Sequence, residues 1–248
     1  DKIVGFGSNI QILNFDSNLS LETIPVSDTQ AFIPRIREMD GIRHVQVFAT
    51  KAGIIKTTEA IQGVVLKGVG SDFDWDFFRT NIIDGTVFSV SDTGRTNEVI
   101  ISKKISDMLR LKTGDSFAMY FVQDPPRSRR FTVSGIYETS LEEFDKMYVF
   151  CDIGHIKRLN GWTDDQVSGF EIFIDDFDRL DEMTLAVRNQ VGYRLLEEET
   201  KFKVTNIRLR YPQIFDWLNF QDMNVFIIIT LMLLVAGFNM ISGLLIII

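Results

Sequence analysis

Residues Met223 to Ile248 read MNVFIIITLMLLVAGFNMISGLLIII, without one charged side chain. As a helix rising about 1.5 Å per residue, this run exceeds the ~30 Å hydrocarbon core of a bilayer. Helices buried inside soluble proteins rarely stay apolar on every face for so long. A transmembrane helix is expected here, and the residues before it are what that helix holds at the membrane surface. The chain stops inside the apolar run at Ile248 and opens at Asp1 without a Met, so it reads as a fragment of a longer membrane protein.

Every charged residue lies in 1–222, so the net charge of -8 belongs wholly to that part. An acidic balance argues against nucleic acid as a partner and against broad adhesion to anionic lipid, both of which need a basic face. Twenty-one Phe supply enough apolar mass for a real core. The single cysteine, Cys151, cannot close an internal disulfide, and two histidines, His44 and His155, are too few for a His-based metal site.

Hydrophobic periodicity orders the rest. Residues 1–8 suit the tail of an earlier helix leaving the membrane, and 9–15 read as a strand. Ser27 to Met39 carries Phe32, Ile33, Ile36 and Met39 at helical spacing after a Ser27-Asp28 start. Two strands are expected over 42–50 and 53–69, then an Asp-rich turn and a helix over 71–80. From residue 97 the pattern is strand then helix to Leu111, then strands over 115–122 and 130–138 joined by QDPPRSR. A strand over 147–153, a short helix ended by Gly161, a strand over 168–175 with alternating polar partners, a helix from Asp178 to Gln190 and a last strand over 202–210 follow. The fold class is α+β. Residues 1–80 and 166–211 form a first αβ lobe, 81–165 an inserted β-rich lobe, and 212–248 an interfacial lead-in and the membrane helix. Ile214, Phe215, Trp217, Leu218 and Phe220 put apolar weight where an interfacial aromatic belt is expected.

Catalytic signatures are missing. The sequence holds no GxxxxGK[ST], no GxSxG and no HExxH. Asp72, Asp74 and Asp76 lack the glycine and distal glutamate of a calcium loop and read as a solvated helix start. No cofactor or metal is expected. In the membrane run, Asn239 is the informative residue: an amide there is costly in lipid and usually faces another helix. With Gly237 and Gly243 it marks a helix-packing candidate.

Several segments together resemble the lipoprotein-releasing permeases of the LolC/LolE family, within the MacB/FtsX-like group of ABC transporter permeases. They are LKGV at 66–69, NEVIISKKISDMLRLKTGDSF at 97–117, RRFTVSGIYE at 129–138, MYVFCDI at 147–153, and YPQIFDWLNFQDMNVFIIITLMLLVAGFNMISGL at 211–244. The resemblance implies a two-lobed MacB-type periplasmic core domain followed by a transmembrane helix in the inner membrane, with residues 1 to about 220 on the periplasmic side. It implies a non-catalytic subunit that pairs with a second permease subunit and is driven by a separate cytoplasmic ATPase dimer. It implies that lipoproteins are lifted from the membrane and passed to a periplasmic lipoprotein carrier. The lipid chains need an apolar seat, for which Phe215, Leu218, Phe226 and Met232 are candidates; burial of acyl CH₂ groups contributes roughly 0.8 kcal/mol each. The sequence departs from LolC-type members in one respect. Where those carry a long hairpin that captures the carrier, only Gln123 to Arg129 stands here. Asp124, Pro125, Pro126 and Arg127 are a candidate docking loop, or simply a tight connection. MacB-like efflux and an FtsX-like scaffold regulating cell-wall hydrolases are the alternatives.

Overall fold

A computed structural model describes residues 2–17, 23–91, 94–192 and 202–247; the side chains of 2, 3, 217–219, 222 and 243–247 fall outside that description. The chain divides into two units, Asp1–Ile207 and Arg208–Ile248.

In the first unit, β3 (Ile42–Lys56) organises the sheet. Its first half pairs with β11 (Gly169–Ile174), which pairs with β1 (Ile10–Asn14), which pairs with β12 (Phe202–Asn206), all antiparallel. Its second half pairs with β4 (Ile61–Val69) on one side and β7 (Ser116–Phe121) on the other. β4 then runs parallel to β9 (Tyr148–Asp152), β9 antiparallel to β6 (Glu98–Ser102), β6 parallel to β8 (Arg127–Tyr137), and β8 antiparallel to β7. These pairings return to β3, so six strands close into a ring that leaves no free edge among them, and β5 (Ile82–Gly85) adds antiparallel to the end of β8. Phe117, Met119 and Phe121 alternate inward along β7, and Phe131 and Val133 along β8.

Helices fill the remaining faces, α7 (Leu180–Val191) against β12 and α2 (Phe32–Arg37) among them. Phe32 on α2 packs edge-on against Phe170 and Phe202. Phe6 on α1 (Lys2–Gly7) meets the rings of Phe77 and Phe78 on α3 (Asp76–Asn81), of Phe144 on α5 (Glu142–Asp145), and of Tyr137, Tyr148 and Phe150. Aromatic pairs at these separations add to their area burial. α4 (Lys103–Leu109) starts where Ser102 Oγ accepts from the Ile105 N–H, and α6 (Ile153–Asn160) ends at Gly161 in the left-handed conformation, both as their cap residues dictate.

Four local expectations are corrected. β3 runs unbroken to Lys56 and the turn falls at 57–60, where the Thr57 N–H donates to the Ala60 carbonyl at 2.9 Å. Gly53, inside β3, keeps the ring interior clear for Met119 and Phe121, which a Cβ would strike. The helix expected from Ser27 begins only at Phe32, because Val26–Ser27 (β2) pairs with Gln166–Val167 (β10). The last strand stops at Asn206, and Ile207–Arg210 (α8) is helical. Finally, β11 is buried on both faces, so Glu171 does not reach water.

That carboxylate sits in a polar network under α1. Lys67 Nζ donates to Glu171 Oε1 at 2.7 Å and to the Phe6 carbonyl at 2.6 Å. Gln11 Nε2 donates to Glu171 Oε1 at 3.0 Å, and Gln46 Nε2 to Oε2 at 2.9 Å. The two charged side chains are 3% and 1% exposed. A charge pair so deeply buried holds only when its remaining lone pairs and protons are satisfied, and the glutamines and carbonyl do that.

The second unit is mostly one helix, α9 (Pro212–Ile247), of 36 residues.

Candidate functional site

Within α9 the span Met223–Ser242 has a mean hydropathy of 2.4 over 20 residues, and none of it is buried within the chain. Unpartnered apolar surface all round a helix of this length calls for lipid or other membrane helices as its solvent. Phe226 and Met232 are 70% and 66% exposed, while Phe215 is half-buried. At about 100° per residue, Phe215 and Phe226 lie within about 20° of each other around the axis, and Met232 stands about 120° from Phe226. The helix therefore puts two of the proposed seat residues on one face and Met232 on another. Gly237 and Asn239 are about 160° apart and cannot share one packing face. Leu218 and Gly243 lie outside the residues whose side chains are described.

The 123–129 connection is tight. Asp124, Pro125 and Pro126 are exposed. Gln123 Nε2 donates to the Leu159 carbonyl at 3.3 Å, and Arg127 Nη1 donates to the carbonyls of Arg158 and Leu159 at 3.0 and 3.3 Å. A cation on the last carbonyls of α6 is favoured by the helix dipole. The guanidinium of Arg127 thus fastens the loop to α6, and only the three residues before it stand outward.

α6 also walls a cleft of about 950 Å³, lined by Arg37, Asp72, Arg95, Gly154, Arg158 and Trp162 among others. Asp72 is the member of the Asp-rich turn that the sequence misjudges. It is half-buried, and its Oδ2 accepts from the Val47 N–H at 2.9 Å. Burial raises its pKa above the usual carboxylate value, and that hydrogen bond partly offsets the effect. Asp152 caps α6, accepting from the Gly154 N–H at 2.8 Å and the Thr96 N–H at 3.3 Å. His155 bonds through Nε2 to the Thr96 carbonyl at 2.8 Å, and burial pushes its pKa down. Cys151 is fully buried, and burial pushes its thiol well up, which leaves it unreactive. Among the described residues no group of three or more His, Cys, Asp or Glu is placed to hold a metal.

Sequence reasoning missed two features: the Lys67–Glu171 pair and a set of arginines around α6. The pair left one legible trace, a charged residue in the middle of each of two otherwise apolar strands.

No family model matches the chain, and no curated protein does. Solved structures do. The extracellular domain of the noncanonic ABC-type transporter YknZ from Gram-positive bacteria aligns at 16% identity and TM-score 0.51, over 80% of this chain and 100% of that one. The periplasmic region of MacB from Actinobacillus actinomycetemcomitans aligns at 13% identity and TM-score 0.50, over 86% of this chain and 98% of that one. Identities this low establish shape rather than activity. The chain has the mixed α+β fold of MacB-type periplasmic domains, and one apolar C-terminal helix of membrane-spanning length follows it.

Proposed function

We propose that this chain is the extracytoplasmic domain and one membrane helix of an ABC transporter permease subunit, seated in the cytoplasmic membrane and driven by an ATPase on a partner chain. One observation carries the reading: a MacB-type periplasmic fold stands on the same chain as a 20-residue span of lipid-facing hydropathy. Neither part suggests bond chemistry. Residues 1–248 hold no phosphate-binding loop, and the resemblance assigns ATP hydrolysis to a partner chain. In this role the domain handles cargo or a partner outside the membrane, and α9 transmits movement across it. Purification of the full-length protein in mild detergent tests this; an ATP-hydrolysing subunit should copurify, and its persistent absence under native expression would refute the assignment.

Within that class the reading is lipoprotein release, with a second permease subunit and a periplasmic carrier as partners. It rests on the motifs at 97–117, 129–138 and 211–244. Phe215 and Phe226, on one face of α9, are the residues we assign to the acyl chains. Efflux is the second reading, because one of the two neighbours above is MacB. Depletion of the full-length protein, followed by a lipoprotein inventory of separated inner and outer membranes, divides them. Lipoproteins stranded in the inner membrane support release, whereas normal sorting with raised drug sensitivity assigns efflux.

A further inference from the structure

Three arginines from three separate chain segments meet along one side of α6. Arg95 lies across its first turn: a Cβ added at Gly154 would come within 2.6 Å of Arg95 Cδ and 2.8 Å of Cγ. Arg158 is on α6 itself, four residues after Gly154 and so on the same side of the helix. Arg129 comes from β8. It shares a strand face with Phe131, whose ring meets that of His155 at 5.0 Å, and with Arg127, which bonds the Arg158 and Leu159 carbonyls. Arg129 is thereby held beside the helix between those two contacts.

Among the described residues, none of these three guanidiniums has a carboxylate within ion-pair distance; all the recorded pairs use other cations. Partial burial lowers the Arg129 pKa, and repulsion from Arg158, Arg127 and Arg95 adds to the effect. Asp152, which caps α6, is already occupied by two backbone N–H groups. In a protein of net charge -8, these three guanidiniums stand near one another without an ion pair among the described residues. Arg95 and Arg158 line the cleft of about 950 Å³, where Asp28, Asp72, Asp152 and Asp164 also stand.

We propose that this face of α6 binds a phosphate group, with Arg95, Arg129 and Arg158 as its donors. Several planar donor forks on one side of a helix suit a tetrahedral, multiply charged anion, whereas one carboxylate is satisfied by a single fork. The lack of a side chain at Gly154 lets the Arg95 stem lie close against the first turn. Bound phosphate relieves the repulsion among the arginines.

The test is calorimetric titration of the full chain in a maltoside detergent at low salt. Inorganic phosphate, short-chain phosphatidylglycerol below its micelle threshold, and a hexaglutamate peptide are compared. Variants are Arg95→Gln, Arg158→Gln, their double, and Arg130→Gln, whose side chain points to the other face of β8. Arg95 and Arg158 are exposed, and unchanged thermal melts confirm that their variants fold. Phosphate affinity should fall roughly tenfold for each arginine removed and stay unchanged in Arg130→Gln. Tighter binding of the phosphatidylglycerol identifies a lipid headgroup as the source, and equal or weaker binding a free phosphate compound. Equal affinity in wild type and the double variant overturns the proposal, as does an equal loss in Arg130→Gln. Hexaglutamate outcompeting both phosphates at the same arginines also overturns it and gives the face to an acidic protein.

Discussion

Replacing Lys67 by Met isolates the buried network beneath α1. The substitution keeps volume and removes one charge, leaving Glu171 at 1% exposure with Gln11 and Gln46 as its only described donors. It also strips the Phe6 carbonyl of its 2.6 Å partner. Breaking a buried pair from one side costs about 3–5 kcal/mol, because the surviving charge stays out of water. For a unit of this size that corresponds to a loss of about 6–20 °C in melting temperature. Replacing both partners, Lys67→Met with Glu171→Met, removes both charges at once. What remains is the orphaned Gln46 amide and the Phe6 carbonyl, worth about 1–3 kcal/mol each at most. The double variant is therefore expected to melt above the sum of the two single losses, and close to or above Lys67→Met alone. The assay is thermal unfolding of the full chain in detergent, followed by tryptophan fluorescence. Trp75 reports on the same core through its contact with Phe73 at 4.7 Å. A loss under about 1 kcal/mol for Lys67→Met, or strict additivity in the double, would refute the network argument.

Three further outcomes are expected. Burial holds the His155 pKa below 6.5, so the unfolded chain takes up that proton more readily; its stabilising contribution is present above pH 6.5 and is lost as pH falls through the folded value. Asp72 and Asp145 are shifted up and act in the opposite direction, so the effect is read as the difference between wild type and His155→Gln melts from pH 7.5 to 5, which should narrow on acidification. Gly68→Ala places a Cβ 2.8 Å from the Ile153 Cα, a backbone atom at the start of α6, and should destabilise by about 1–3 kcal/mol in denaturant unfolding; a neutral result would mean that α6 shifts freely on the sheet. Arg127→Ser removes the bonds to the α6 carbonyls and should cost about 0.5–1.5 kcal/mol, whereas Pro125→Gly with Pro126→Gly tests docking alone, and unchanged crosslinking to a carrier would remove that role from the loop.

Much of the first unit was legible because its signals are local. The strand-to-helix passage at 97–111 and the helix end at Gly161 each depend on neighbours within a few residues. The errors share a different cause. Residues 51–52 looked like a break, but Lys51 and Ala52 pair with Leu66 and Val65, 15 and 13 positions further along the chain. The helix start misplaced at Ser27 was displaced by pairing with Gln166. The Asp-rich turn looked solvated until Val47 drew Asp72 inward. The candidate residues divide in the same way: Phe226 and Met232 were correctly expected in a membrane-length helix, but their placement on different faces follows from helix geometry that composition does not carry.

By itself the sequence determined where the lipid-length helix lies, which segments extend and which coil, and that the rest of the chain is acidic and rich in aromatic core. These follow from composition and from periods of 2 and 3.6 residues, which act over one element at a time. Tertiary structure alone decided that β3 serves an open sheet with one half and a closed ring with the other, that Lys67 finds Glu171, and that Arg95, Arg129 and Arg158 converge on α6. Each of those joins groups far apart in the chain. Which strand pairs with which is set by the burial available to the assembled sheet, a quantity that no single segment contains.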